Sequence, residues 1–265
     1  MGDQVWRQKV QSHVDKEAGR TVVEGCWDVS KCFEQVKAKL LIDAARRHGY
    51  PLGILAISLR AYRWKRCMVF EGGIAADAVY PKSGIVAGSP HATFELLVYV
   101  IDAVRAMVAA SPQSNISLHT DDLMFMATGD TVPQAANEFV RLGRCALREF
   151  SKLQLPFAPE KAVVLSNRQR AAQIARRRLG NMAGRVQTQV KALGVDLTMR
   201  STKAKQTYHA RMREAKNRIA RMLSIRNQAR PTKRIIKGSV IPAALYGAEI
   251  IEVPEDQYDT CGGRP

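Results

Sequence analysis

The segment from Ile116 to Thr128 constrains the fold more than any other part of the chain. Two short apolar runs, ISLHT and LMFMAT, stand directly on either side of an acidic pair, Asp121–Asp122. Apolar runs that flank a short polar turn predict a β-hairpin.

Strand-like and helix-like segments alternate along the rest of the chain. The further predicted strands are Thr21–Trp27, Cys67–Phe70, Ile74–Val79, Ala162–Leu165 and Val190–Leu197. The predicted helices are Phe33–Arg47, Pro51–Lys65, His91–Ala110, Val132–Leu153, Lys203–Ala229 and Thr232–Ala244. This order predicts an α+β fold, in which a mainly antiparallel sheet is backed by helices on one face. The first strand and the hairpin would then lie side by side, with Asp28 and Asp121–Asp122 at one sheet edge.

Positive charge is concentrated in the C-terminal third. The 265 residues include 41 Lys and Arg against 24 Asp and Glu, a formal net charge of +17. Between Lys161 and Lys237 lie 21 of these basic residues and two acidic residues, which leaves 20 basic and 22 acidic residues elsewhere. Sustained over so long a segment, this excess predicts nucleic-acid binding, although any single short run would be typical of a solvated helix face. Aromatic anchors are scarce here, which favours nucleic acid over a membrane surface.

Composition narrows the class of protein further. Apolar residues make up 46% and charged residues 25% of the chain, as in globular proteins with one large domain or two modest ones. The N-terminal segment is too polar for a secretory signal, and the apolar runs Leu52–Leu59 and Leu96–Val104 are too short to span a bilayer. Five cysteines without a CxxC pair argue against a disulfide framework and a structural zinc site. We therefore expect an intracellular protein, nuclear or cytoplasmic, that is neither secreted nor bound to a membrane.

Three carboxylates at one sheet edge suit phosphoryl-transfer chemistry. Mg²⁺ prefers carboxylate oxygens and takes few protein ligands, so two or three aspartates are sufficient for a pair of ions. One ion lowers the pKa of an attacking hydroxyl, and the other neutralises a leaving pyrophosphate. Taken alone, Asp121–Asp122 is more typical of a turn, and Asp28 is more typical of a helix cap.

Five local sequences resemble, in order and spacing, motifs of reverse transcriptases. DVSKCFEQV from Asp28, GIVAGSPHATFELLVYV around Gly88, and HTDD at 119–122 are similar to three consecutive palm motifs of the non-LTR retrotransposon and group II intron types. FAPEKAVVLS at 157–166 resembles the fourth palm motif, and KALGVDL at 191–197 resembles the primer-grip region. SVIPAALYGAEI at 239–250 is also similar to the thumb-like end of retrotransposon polymerases. The resemblance covers about residues 21–250 and implies a polymerase palm followed by a helical, basic partial thumb.

The resemblance also implies how the chain is divided. Residues 1–20 would be a remnant of fingers or a linker, 21–200 the palm, 201–250 the partial thumb and 251–265 a frayed tail. Reverse transcriptases usually carry a long fingers region before the first palm motif, whereas 27 residues precede Asp28 here. The fingers are therefore expected to be largely missing, and the chain to be part of a longer protein encoded by the element.

The resemblance assigns roles to the acidic residues and to one lysine. Asp28 and Asp121 would hold two Mg²⁺ ions, for which Mn²⁺ could substitute, together with the backbone carbonyl of Val29. Asp122 would support the same ions through a less direct metal contact. Lys161 would donate a proton to the leaving pyrophosphate or place a positive charge near the triphosphate; a plain surface lysine is the alternative.

Four further residues would contact the incoming nucleotide. Phe33 stands where the family carries an aromatic gate against the ribose 2′-hydroxyl, which implies a preference for deoxynucleotides; a core phenylalanine is the alternative. The turn at Gly88 and Ser89 would expose backbone amides to the nucleotide or template, with Ser89 as the helix cap and Pro90 as the first helical residue; a plain helix start is the alternative. Ala87 replaces the glutamine usual in the family, which predicts weaker positioning of the nucleotide.

The basic C-terminal segment would grip the template–primer backbone without reading its sequence. The residues expected to make these contacts are Arg176, Arg177, Arg178, Lys191, Arg211, Arg213, Lys216 and Arg218.

The leading hypothesis is therefore an RNA-directed DNA polymerase (reverse transcriptase) of a retroelement. It would use an RNA template, a DNA or RNA primer and deoxynucleoside triphosphates. One alternative is a catalytically decayed or truncated, maturase-like RNA-binding protein, which Ala87 and the short N-terminal segment favour. Another is an RNA-directed RNA polymerase on the same palm, which Phe33 disfavours.

Overall fold

The structure, a computed structural model, describes residues 2–67, 69–70, 73–74, 77–199, 206–224 and 234–247. The predicted tail at 251–265 lies outside the described residues. The helices are α1 (Gly2–Glu17), α2 (Cys32–Gln35), α3 (Ala38–Arg47), α4 (Leu52–Tyr62), α5 (Ala92–Ala110), α6 (Val132–Lys152), α7 (Gln169–Leu179), α8 (Gln206–Ser224) and α9 (Ile241–Leu245), with a 3₁₀ turn at Gly180–Ala183 and a π-helical turn at Ile236–Val240. The strands are β1 (Thr21–Asp28), β2 (Val69–Phe70), β3 (Gly73–Ile74), β4 (Asn115–His119), β5 (Asp122–Gly129), β6 (Val163–Ser166), β7 (Arg185–Gln187), β8 (Gln189–Ala192) and β9 (Val195–Thr198).

A five-stranded sheet in the order β4-β5-β1-β6-β7 organises the described residues. The pairs β4–β5, β5–β1 and β1–β6 are antiparallel, whereas β6 and β7 are parallel. The predicted α+β class is confirmed, but the sheet is mixed rather than antiparallel throughout. The parallel pair is possible because α7 lies between β6 and β7 and returns the chain in the same direction.

Helices α5, α6 and α7 cover one face of the sheet. Trp27 on β1 lies edge-on to Phe125 on β5 and to Phe157, with ring centroids 4.9 and 5.2 Å apart. Phe125 in turn stacks on Phe139 of α6 at 4.8 Å. These buried rings are the centre of what we call the main core. Among the described helices, none is both long and apolar enough to cross a bilayer.

The opposite face carries a second core. Met124 and Met126 of β5 and Val22 of β1 pack there with Tyr208 and Met212 of α8. The β8–β9 hairpin and α9 contribute to the same core, so the expectation of helices on one face only is wrong. Both faces are covered because the strands carry apolar residues at successive positions rather than at alternate ones.

Residue Asp196 fixes the start of α8 on this second face. Its two carboxylate oxygens accept hydrogen bonds at 2.6 Å from the backbone N–H and the hydroxyl of Thr207. A carboxylate at a helix N-terminus satisfies amides that have no partner within the helix and opposes the positive end of the helix dipole. The basic helix is therefore anchored directly to strand β9.

Two predicted elements are divided in the structure. The helix predicted over Phe33–Arg47 is interrupted at Val36, whose ψ of 127° is not helical. The strand predicted over Val190–Leu197 is the β8–β9 hairpin, because Leu193 and Gly194 adopt φ angles of 47° and 80° and reverse the chain. Left-handed φ values at consecutive residues are typical of tight hairpin turns.

Helix α1 packs on the second face of the sheet through polar side chains. Gln8, Ser12 and Asp15 are buried, and they lie over the end of β1 where Glu24 is also buried. Burial raises the pKa of Glu24 to about 7, against the opposing effects of a hydrogen bond with Ser12 and the charge of Lys16. The sequence analysis does not predict this helix, because the side chains that it buries are polar and the sequence shows no helical repeat of apolar residues.

A substitution at Glu24 should change how stability depends on pH. A carboxyl group with a raised pKa binds its proton more tightly in the folded state, so its contribution to stability falls as pH rises from about 4.5 to about 7. Glu24→Gln should therefore leave the free energy of unfolding unchanged at low pH and increase it above pH 7 by on the order of 3 kcal/mol. Urea unfolding across that range measures the difference. The matched control is Glu17→Gln at an exposed position of the same helix; an equal effect in both variants would contradict the burial of Glu24.

A second stability test concerns the close approach of β1 to the main core at Gly25. A Cβ at Gly25 would lie 2.8 Å from Cζ of Phe125 and 3.0 Å from Cε2 of Phe139. Both rings are buried, so Gly25→Ala should lower the free energy of unfolding by about 1–3 kcal/mol. Gly53→Ala in α4 is the control, since a Cβ there meets nothing within 4 Å. Thermal unfolding should therefore separate the two variants, and equal midpoints would be inconsistent with the tight packing.

Candidate active site at the sheet edge

The structure brings Asp28, Asp121 and Asp122 together at one edge of the sheet. Strands β1 and β5 pair with Asp28 opposite Asp122, and His119 closes the β4–β5 hairpin opposite Asp122. Thr120 and Asp121 form the two-residue turn between those hairpin strands. The predicted adjacency of the first strand and the hairpin is thus confirmed by the register.

Backbone hydrogen bonds hold this edge in place. The N–H of Val29 donates to the carbonyl of Asp121 at 2.7 Å, and the N–H of Ala158 donates to the carbonyl of Asp28 at 2.9 Å. In the turn, Thr120 has a φ of 58°. A β-branched residue is an outlier in that left-handed region, and such strain is concentrated at functional sites.

The two facing aspartates point to the second face of the sheet. Side chains on a strand alternate between faces, and directly paired residues share a face. Asp28 and Asp122 therefore lie on the same side as the pair two residues away along the strands, Cys26 and Met124, which packs in the second core. The carboxylates consequently face the side of the sheet that carries α8.

The three carboxylates carry an excess of negative charge. Burial raises the pKa of the Asp122 carboxyl, and the nearby charges of Asp121 and Asp28 raise it further, against the weaker influence of His119 and Lys161. Nζ of Lys161 lies 2.9 Å from Oδ2 of Asp28, and this contact raises the pKa of the lysine. One ammonium thus faces three carboxylates, an arrangement that would be stabilised by cations.

The donor atoms at this edge have the chemistry that Mg²⁺ requires. Carboxylate and backbone carbonyl oxygens are hard ligands, and Mg²⁺ retains several waters beside one or two carboxylates. Within the described part of the chain, no three His, Cys, Asp or Glu side chains converge as a group that could hold a metal ion. The fit of this edge to Mg²⁺ therefore rests on the oxygen donors and on the negative charge of the carboxylates that Lys161 does not balance. Asp28 and Asp122 are the pair that face each other across the strands.

Three of the predicted nucleotide residues, Ala87, Gly88 and Ser89, lie along the loop that precedes α5, which we call the nucleotide loop, whereas Phe33 lies in α2. Phe33 is half-buried against the main core, and its carbonyl accepts a hydrogen bond at 2.8 Å from the N–H of Ile85. This bond lays the loop over α2, and it leaves Ala87 and Gly88 exposed.

The cap predicted for α5 is wrong. The helix begins at Ala92 with His91 as its N-cap, so Pro90 is not its first residue and Ser89 is not its cap. The N–H of Ser89 donates to the carbonyl of Val86, so this amide is hydrogen-bonded within the loop. The Ser89 hydroxyl oxygen accepts a hydrogen bond at 3.3 Å from the N–H of His91, because Ser89 closes the turn before the helix.

The sheet separates the basic residues into two groups. Helix α7, which carries Arg176, Arg177 and Arg178, packs on the main core, whereas α8 packs on the second core. The division follows from β6, where Val164 belongs to the main core and Val163 to the second core. The basic residues of α7 and α8 therefore lie on opposite faces of the sheet, because side chains alternate along β6.

Several of the predicted nucleic-acid contacts are engaged within the chain. Arg176 donates to the carbonyl of Gly180, and Arg178 donates to Asn137. Arg211 donates to the carbonyl of Tyr246 at 2.7 Å, and Arg218 pairs with Glu214 at 2.9 Å. The remaining predicted contacts, Arg177, Lys191, Arg213 and Lys216, have exposed side chains.

Sequence reasoning missed a buried polar network beside the nucleotide loop. Glu95 of α5 is fully buried, and its Oε2 accepts a hydrogen bond at 2.7 Å from the hydroxyl of Tyr62 in α4. The Ser89 hydroxyl lies 2.9 Å from the same phenol oxygen. The available signal was a single carboxylate within the apolar sequence TFELLVYV, since charged residues are rarely buried unless paired.

Comparison with known proteins adds no family assignment to this geometry. No protein-family model matches the chain, and no curated protein matches it either. A functional proposal therefore depends on the site residues and on the motif resemblance.

A substitution at Asp122 should stabilise the fold while weakening its response to Mg²⁺. Replacing this carboxylate by an amide removes a partly buried charge that its neighbours disfavour. Asp122→Asn should raise the unfolding midpoint at neutral pH, and the gain should shrink as acid protonates the carboxyl group of the unmodified chain. Added Mg²⁺ should then raise the midpoint of the unmodified chain more than that of the variant. Asp130→Asn, where the side chain is 85% exposed, is the control and should behave like the unmodified chain. A lower midpoint for Asp122→Asn would contradict the repulsion.

Proposed function

We propose that this chain is the palm and part of the thumb of an RNA-directed DNA polymerase, which adds deoxynucleotides to a primer 3′-hydroxyl on an RNA template. The observation that carries the proposal is the direct pairing of Asp28 with Asp122, with Asp121 in the adjoining turn. These residues come from two motifs far apart in the chain, each of which resembles a palm motif of reverse transcriptases. Their meeting at one edge is what that chemistry requires.

The carboxylates of Asp28, Asp121 and Asp122, with the carbonyl of Val29, are the groups that would hold Mg²⁺. When bound, the ions would lower the pKa of the primer hydroxyl and offset the charge of the leaving pyrophosphate. The contribution of the chain is a rigid frame, since β1, the hairpin turn and Ala158 are joined by the backbone bonds described above.

Residue Lys161 serves this reaction as a fixed positive charge rather than as the proton donor. Its ion pair with Asp28 raises its pKa, which makes the ammonium a weaker acid. A permanently protonated lysine beside the carboxylates can attract the triphosphate of the incoming nucleotide. Of the two roles implied by the resemblance, electrostatic attraction therefore has the better physical support.

The surroundings of the carboxylates suit a nucleotide on one side and a duplex on the other. Phe33 and the exposed residues Ala87 and Gly88 lie on the loop side, where the proposed gate would exclude a 2′-hydroxyl. On the second face, α8 presents Arg213 and Lys216 to solvent, where they could neutralise backbone phosphates.

A second candidate is a catalytically inactive RNA-binding protein built on the same fold. It is favoured by Ala87, which stands in place of the usual glutamine. The basic surfaces would remain functional in such a protein, whereas the carboxylates would not.

Primer extension separates the two candidates. The assay uses a DNA primer annealed to an RNA template, with deoxynucleotides and Mg²⁺, and compares the unmodified chain with Asp121→Asn/Asp122→Asn. The double substitution should reduce extension by about 100-fold or more, since transition-state stabilisation of several kcal/mol is lost. Asp130→Asn should extend normally.

Each other outcome has a definite meaning. Extension that survives the double substitution would overturn the assignment of the carboxylates. Absence of extension by the unmodified chain, with salt-sensitive RNA binding retained, would favour the inactive RNA-binding protein. Efficient use of ribonucleotides would contradict the role given to Phe33.

A further inference from the structure

A cluster of exposed cations surrounds an exposed tryptophan at the end of α4. Arg60, Arg63, Lys65 and Arg66 fall within seven residues of sequence, and all four side chains are exposed. Trp64 stands among them with 68% of its surface accessible. Set among cations in this way, the exposed ring is suited to contact a ligand that is both planar and anionic.

A second exposed aromatic residue is brought to this cluster by backbone pairing. Arg66 and Val79 form an antiparallel bridge, with N–H to carbonyl distances of 2.9 and 2.8 Å in the two directions. The residues next to this bridge, Lys65 and Tyr80, therefore lie opposite each other. Tyr80 is 66% exposed, so two accessible rings lie among the same cations.

The charges of this cluster are not balanced within the described part of the chain. Other cations on the surface are paired, as Arg47 is with Asp102 at 2.9 Å and Lys152 is with Glu149 at 2.7 Å. In contrast, none of the four cations around Trp64 forms an ion pair with a described carboxylate. Unbalanced cations so close together are stabilised by a polyanion.

We propose that Trp64, Tyr80 and the four cations Arg60, Arg63, Lys65 and Arg66 form a binding surface for single-stranded nucleic acid. Unpaired bases stack on exposed aromatic rings, and the cations between the rings neutralise the phosphates that connect those bases. Double-stranded nucleic acid keeps its bases within the helix, so it cannot use the rings. This surface does not depend on catalysis and holds whether or not the chain is a polymerase.

Hydrogen bonds connect the α4 end of this surface to α5 and to the nucleotide loop. Tyr62, in the last turn of α4, is buried and donates its hydrogen bond to Glu95 of α5. The same phenol contacts Ser89 in the loop, and the guanidinium of Arg66 donates to the carbonyl of Tyr62 at 3.3 Å. A preorganised surface loses less conformational entropy on binding.

Fluorescence anisotropy with a labelled, unstructured oligonucleotide tests the proposal on the full chain, without Mg²⁺ or nucleotides. Trp64→Ala/Tyr80→Ala should weaken single-strand binding by at least about 10-fold, because stacking is lost at two positions. Binding of a duplex of the same length should change little. Trp64→Phe/Tyr80→Phe should retain most of the single-strand affinity, since it keeps both rings.

The matched control is Trp6→Ala, which removes an exposed tryptophan from α1. This variant should bind the single strand like the unmodified chain, and circular dichroism should show the same unfolding midpoint for all four proteins. Equal single-strand affinity in Trp64→Ala/Tyr80→Ala and the unmodified chain would overturn the proposal. So would a selective loss of binding to anionic phospholipid vesicles with oligonucleotide binding intact, since the surface would then be a membrane contact. Failure of primer extension has no bearing on these measurements.

Discussion

The antiparallel register between β1 and β5 is the constraint on which the candidate site depends. Eight consecutive pairs join these strands, from Thr21 with Gly129 to Asp28 with Asp122. A slip of one residue would turn Trp27 and Phe125 out of the main core, because side chains alternate between the two faces of a strand. Packing of these rings against Phe139 and Phe157 therefore also determines where the carboxylates point.

Because both faces of the sheet are covered by apolar packing, the edge that carries the three aspartates can hold charges that lower the stability of the fold. Like charges at Asp28, Asp121 and Asp122 repel one another, and Thr120 adds backbone strain in the turn between the hairpin strands. Apolar packing on both sides of the sheet compensates for these unfavourable terms. Such a division, in which the core stabilises and the edge remains strained, is common at sites that bind charged ligands.

The sequence was informative where a signal is local, and uninformative where it depends on long-range packing. The hairpin, β1, α5 and α6 follow from apolar patterns within each segment, so the meeting of Asp28 with the acidic pair could be predicted. Helices α1 and α7 could not, because α1 buries polar side chains, and α7 buries only the small residues Ala171, Ala172 and Ala175. The sequence also could not predict that α7 and α8 lie on opposite faces of the sheet, since this depends on which side chains of β6 point to which face.

That separation limits what one bound duplex can do to the electrostatics of the protein. In the proposed function, a duplex lying against α8 is on the opposite side of the sheet from Arg177, so its phosphates would be neutralised by one basic surface and the other surface would stay charged. The salt dependence of that binding would therefore be set by one surface and not by the net charge of +17. The remaining surface would then stay open to another polyanion, so the proposed function implies that at low ionic strength a single chain would bridge two nucleic-acid molecules and promote their condensation.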